Sequence, residues 1–177
     1  MLRKAMNTAA QRPQNGEREP DALAQLSLAL VDPDIEVRLD AVTAVARMGG
    51  EPAAETLVVA LSDREMEIRE AAAEAFGRIG GTAAIDALAY AIVDPQEAVR
   101  EAAIDALAAI GSEASVSALT LALSDEDASL REDAVDALAA IGTESALRAM
   151  YQALGDVHGS VRETASEHLA EFTGVGD

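Results

Sequence analysis

Two residue types recur at a spacing that could do chemistry. Asp32, Asp63, Asp94, Asp125 and Asp156 stand 31 residues apart, and each is followed six residues later by an arginine: Arg38, Arg69, Arg100, Arg131 and Arg162. A carboxylate within reach of a guanidinium suits an anion or a metal site. The same pair suits a structural ladder, in which the aspartate caps a helix and the planar arginine, able to bond in two directions, ties adjacent turns together. Equal repetition in all five units, the end units included, favours the ladder.

Other reactive groups are sparse. His158 and His168 both fall in the last unit, ten residues apart, and they project in different directions. With no cysteine there is no thiolate nucleophile, no disulfide framework and no Cys-based metal site. The serines are scattered over helix surfaces without an elbow or a base to activate them. Gly49-Gly50 and Gly80-Gly81 sit where helices end, and glycine there serves as a C-cap rather than a phosphate cradle. No catalytic residue, metal site or cofactor is expected.

The elements that must carry the ladder follow from the same 31-residue step. Gly49, Gly80, Gly111 and Gly142 form a third column, broken in the last unit where Thr173 stands and Gly174 follows. The units run 21–51, 52–82, 83–113, 114–144 and 145–175, and a fixed period of this size means a solenoid. In each, a short leading helix shows apolar residues three and four apart, as in Leu57, Val58 and Leu61. A longer trailing helix carries a stripe such as Val99, Ala103, Ala106, Leu107 and Ile110. The column aspartate is placed as N-cap of the trailing helix, with Pro33 and Pro95 at the first helical position. Ala29, Ala60, Ala91, Ala122 and Ala153 let neighbouring helices approach. One hairpin covers only part of its apolar stripe, so each copy needs another as its packing partner.

The recurring D-x(4)-[VIL]-R-x(2)-A-x(3)-[LVF]-x(2)-[IM]-G, intact in DPQEAVREAAIDALAAIG, resembles the short HEAT-like repeats named after the phycobilisome lyases. The resemblance covers residues 21 to 175. It implies an all-α, right-handed α-solenoid of five helical hairpins, with leading helices on the convex side and trailing helices on the concave side. For function it implies little, since such repeats occur in lyase subunits and in adaptors. The HEAT-like deoxyhypusine hydroxylases bind two irons through His-Glu dipeptides, and this sequence contains none. The HEAT-like DNA glycosylases use a basic concave face, and here that face is acidic.

The net charge of −19 opposes nucleic-acid binding, and its twelve arginines and single lysine resemble the proteome style of salt-accumulating halophiles. No run of about 18 apolar residues marks a membrane span, and residues 1–20 lack the apolar run of a secretory signal, so a cytoplasmic location is expected. The acids are unevenly placed. On the concave positions stand Glu70, Glu74, Glu101, Asp105, Glu132, Asp136, Glu163 and Glu167, against Arg47 and Arg78. The outward positions carry Asp21, Glu55 and Asp86 against Arg148. This asymmetry points to a groove for a protein partner carrying basic residues.

Two apolar groups add possible contacts. Ile35, Leu39 and Met66 fall on concave positions of the first two units, to be covered by a partner or by a capping helix near Leu2 to Ala10 in an extension spanning residues 1–20. Leu28, Val59, Tyr90 and Leu121 share a convex column that Gln152 ends, 100° beyond the expected buried positions Ser27, Val58, Ala89 and Thr120. Exposed, that row suits a homodimer. The sequence thus reads as a non-catalytic protein-protein interaction scaffold. The alternative is an accessory subunit of a lyase-like enzyme related to bilin lyases.

Overall fold

Alternation of short and long apolar stripes becomes alternation of short and long helices. The computed structural model describes residues 19–173. Among them lie ten α-helices: α1 (Glu19–Ala29), α2 (Ile35–Met48), α3 (Glu51–Leu57), α4 (Met66–Ile79), α5 (Gly81–Ala91), α6 (Glu97–Ile110), α7 (Val116–Ala122), α8 (Ala128–Ile141), α9 (Glu144–Ala153) and α10 (Gly159–Thr173). A 3-10 segment, Val58–Ser62, prolongs α3, and another, Glu113–Ser115, leads into α7. The described residues hold no strand, and the architecture is an all-α solenoid of helical hairpins. The expected capping helix near Leu2 to Ala10 lies outside the described residues, whereas Glu19 and Pro20 already belong to α1.

The chain falls into two compact units, the first ending at Ala87 and the second starting at Leu88. In the first, α1 packs on α2 and α3, and the trailing helices α2 and α4 pack on each other. In the second, the trailing helices α6, α8 and α10 pack in sequence, with α7 and α9 against them. The core follows the repeat. Leu26, Leu57, Leu88, Leu119 and Met150 occupy one leading-helix column, all at most 1 % exposed, and the alanine column three residues on is buried with them. On the trailing helices, Phe76, Leu107 and Leu138 fill one column at 0 % exposure. Burying such a side chain contributes about 1.5–3 kcal/mol, and alanine at the neighbouring column lets the backbones close in around it.

Local punctuation departs from expectation at the start of each trailing helix. The column aspartate sits two residues ahead of the N-cap, whose positions are Asp34, Glu65, Gln96 and Asp127. Its carboxylate accepts the backbone N–H two residues on, as from Asp34 to Asp32 and from Asp127 to Asp125, both at 2.9 Å. This is an Asx turn, which bends the chain before the helix begins. Pro33 and Pro95 therefore lie inside that turn, one residue before the N-cap, and not at the first helical position. Capping by a side chain falls instead to Asp34 and Asp127, which accept the N–H of Glu36 and Ser129. At the other end Gly111 and Gly142 adopt left-handed conformations, with φ of 61° and 64°, that a Cβ would strain.

Candidate functional site

The Asx turn frees the column aspartate for a second task. Its backbone carbonyl accepts from the arginine six residues on: Arg38 Nη1 to Asp32 O at 2.8 Å, Arg100 to Asp94 at 3.0 Å, Arg131 to Asp125 at 2.8 Å. With Nη1 so anchored, the rest of the fork turns toward the next repeat. Arg100 Nε and Nη2 meet the Asp125 carboxylate at 2.7 and 3.2 Å, and Arg131 meets Asp156 at 2.7 and 2.9 Å. In the first unit Arg38 Nε lies 2.7 Å from Asp63. Each pair therefore joins two repeats, 25 residues apart in sequence.

Arg38, Arg100 and Arg131 are buried. The Arg131 fork, above all, holds the Asp156 carboxyl down to about 2, while the partner carboxylates raise Arg100 and Arg131. Arg69 Nη1 binds Asp63 O at 2.8 Å in the same manner. Arg162 keeps the two anchors, Asp156 O at 2.7 Å and Val157 O at 3.1 Å, but is exposed.

A second set of carboxylates lines the outer face of the trailing helices. In the second unit, Glu101, Glu132 and Glu163 recur on α6, α8 and α10, and Asp105, Asp136 and Glu167 recur one turn later. Glu132 is half-buried and the others are exposed; in the first unit Glu70 is half-buried and Glu74 exposed. Ser160 Oγ donates to Glu132 at 2.5 Å, and His168 Nε2 lies 2.7 Å from Asp136. Among these rows stands Asp133, half-buried on α8. Burial pushes its carboxyl up, and Asp105, Glu101, Asp136 and Glu132 push it further.

Sequence reasoning missed Asp133. Its column reads Asp40, Ala71, Ala102, Asp133 and Thr164, and an acid in line with two alanines was the available signal. Among the described residues no group of three or more His, Asp or Glu side chains could hold a metal ion.

The apolar candidates divide. Ile35, Leu39 and Met66 are half-buried. Leu28 is 73 % exposed, Val59 45 %, Tyr90 79 % and Leu121 56 %. The adjoining column is not buried as expected: Ser27 and Val58 are exposed, and Ala89 and Thr120 half-buried. The leading helices bury Leu26 and its equivalents instead, which turns that column to the rim and exposes Tyr151 in the last repeat.

Family comparison follows this geometry. A model of HEAT repeats matches residues 20–96 and 88–170. The chain belongs to the HEAT repeats. Solved HEAT-like and armadillo-like structures resemble it over nearly its whole length. A designed armadillo repeat protein in complex with the peptide (KR)4 is 25% identical with a TM-score of 0.58, covering 97% of this chain and 91% of that one. The complex of CpcE and CpcF of phycocyanin lyase from Nostoc sp. PCC7120 gives 21% identity and a TM-score of 0.63, covering 93% and 69%. Human deoxyhypusine hydroxylase gives 22% and 0.61, covering 98% and 74%. The last two, at such identities, show the fold alone. No curated protein matches the chain. As in any HEAT-repeat chain, the hairpin is the unit of construction, and no described helix is long and apolar enough to cross a membrane.

Proposed function

We propose that this HEAT-repeat chain is a non-catalytic interaction scaffold whose acidic trailing-helix face takes a partner segment carrying Arg or Lys. Asp133 carries the reading: a half-buried carboxyl pressed by four acids is an electrostatic cost in the free protein that a bound cation would relieve. The repeat supplies a ruler as well. Packed helices lie about 8–10 Å apart, and three residues of extended chain span about 10 Å, so a basic residue at every third position meets one acid row per helix. The (KR)4 peptide bound by the designed armadillo protein supports a basic ligand for a scaffold of this kind.

Fluorescence anisotropy with a labelled alternating Lys/Arg peptide tests the proposal. Glu101→Arg combined with Asp105→Arg should weaken binding at least about tenfold, a loss of about 1.4 kcal/mol, and rising salt should weaken wild-type binding. Equal affinity in the double variant, or equal binding of an acidic peptide, would overturn it.

The repeats themselves we assign to the phycobilisome-lyase type, on the D-x(4)-[VIL]-R motif. The acid-rich composition supports a cytoplasmic protein suited to high salt. Circular dichroism checks this: helicity should loosen on dialysis to low ionic strength and return with salt. Unchanged helicity in dilute buffer would count against it.

A further inference from the structure

The leading helices α7 and α9, with the last turn of α5, carry a surface unlike the trailing-helix face. Tyr90 ends α5 at 79 % exposure, Leu121 on α7 is 56 % exposed and Tyr151 on α9 is 55 % exposed. From Val116 to Ala122, α7 has no charged residue. On α9 the exposed Arg148 lies 2.9 Å from Glu144, so the pair is neutral. Asp86, exposed on α5, adds one negative charge, so this surface is mostly apolar and weakly charged in a chain of net charge −19. It offers nothing to the basic segment that the acid rows would hold.

We infer that a second copy of the chain docks on this face, leading helices against leading helices about a two-fold axis at α7. Charge argues for a copy of itself. Two chains of −19 repel on approach, and the repulsion is least where both contacting surfaces carry little charge. The face is also self-complementary. A two-fold axis at α7 sets Leu121 against its own copy, and it brings α9 of one chain over α5 of the other.

Salt separates this surface from the acidic one. At about 1 M salt the screening length is about 3 Å, so repulsion between copies vanishes while apolar contact persists. Dimerisation should therefore strengthen with salt, opposite to capture of a basic peptide.

Sedimentation equilibrium of the full chain at high micromolar concentration tests the inference. Wild type should shift from mostly monomer in dilute buffer to mostly dimer at about 1 M salt. Leu121→Glu should remain monomeric in both, with unchanged circular dichroism, and Glu101→Arg with Asp105→Arg should still dimerise. Should Leu121→Glu fail to fold, Tyr90→Glu, at a more exposed position, gives the same readout. A wild-type monomer in high salt, or a dimer that survives Tyr90→Glu and Leu121→Glu alike, would overturn the assignment.

Discussion

Asp156 and Asp133 lie in adjacent repeats of the second compact unit, and the protein holds their carboxyls in opposite states. Asp156 receives both arms of the Arg131 fork and the backbone N–H of His158, and its carboxyl is held down to about 2. Asp133 follows Arg131 by two residues on α8, yet burial raises it, and the groups that add to the rise are all acids. Partial burial is common to both, so burial does not decide the outcome. The decisive difference is where the guanidinium points: Arg38, Arg100 and Arg131 are each fastened by their own repeat's carbonyl and aimed at the next repeat's aspartate. The ladder acids are thereby satisfied within the protein, and the face acids are left to repel one another.

Breaking the ladder should give the largest effect. Arg100→Ala removes the partner of Asp125 and the donor to the Asp94 carbonyl, and should cost about 3 kcal/mol in urea unfolding, since a buried carboxylate loses its countercharge. Arg162→Ala removes an exposed guanidinium bound to carbonyls and should cost several-fold less. Equal costs would mean that the bond between repeats adds nothing to the bond within one.

Acid should sharpen the same contrast. The Asp156 carboxyl titrates below its unfolded value, so its contribution is complete above about pH 4 and disappears as pH falls through about 2. Asp133 has the opposite sign: its raised carboxyl takes up a proton sooner in the folded chain, so stability rises as pH falls through that step. Melting temperature should therefore climb on mild acidification from neutral and then drop toward pH 2. A steady decline from neutrality would remove the repulsion assigned to the face.

A smaller change should follow Asp133→Asn, which ends the repulsion without creating a bond. At neutral pH it should stabilise by about 1 kcal/mol or less, and the gain should shrink in high salt. Loss of stability would show that the Asp133 carboxylate has a favourable partner.

The repeat was legible because the aspartate and arginine columns keep a 31-residue step through all five units, and the apolar stripes then assign leading and trailing helices. The geometry of the aspartate–arginine pairs was not legible. An arginine six residues after one aspartate lies 25 before the next, and the choice between them is set in space: the near carbonyl takes Nη1 and the far carboxylate takes Nε and Nη2. The N-cap was misplaced because an aspartate before a helix either caps it or forms an Asx turn, and sequence does not separate the two. The burial of Leu26 and its column, rather than Ser27 and Val58, depends on how far each leading helix rolls, which packing decides. Asp133 escaped notice because burial, which packing decides, shifts it most, and Asp105 and Glu101 on the neighbouring α6 add to Asp136 and Glu132 on its own helix.

Carboxyl titration by NMR, with and without an alternating Lys/Arg peptide, tests the central claim most directly. In the free chain Asp156 should titrate near 2 and Asp133 above the ordinary aspartate range. Adding the peptide should lower Asp133, because a cation now faces it, and leave Asp156 where it was, because its countercharge is already in place. If the peptide binds and Asp133 does not move, or if Asp156 moves with it, the acidic face is not the site and the division between ladder and face is wrong.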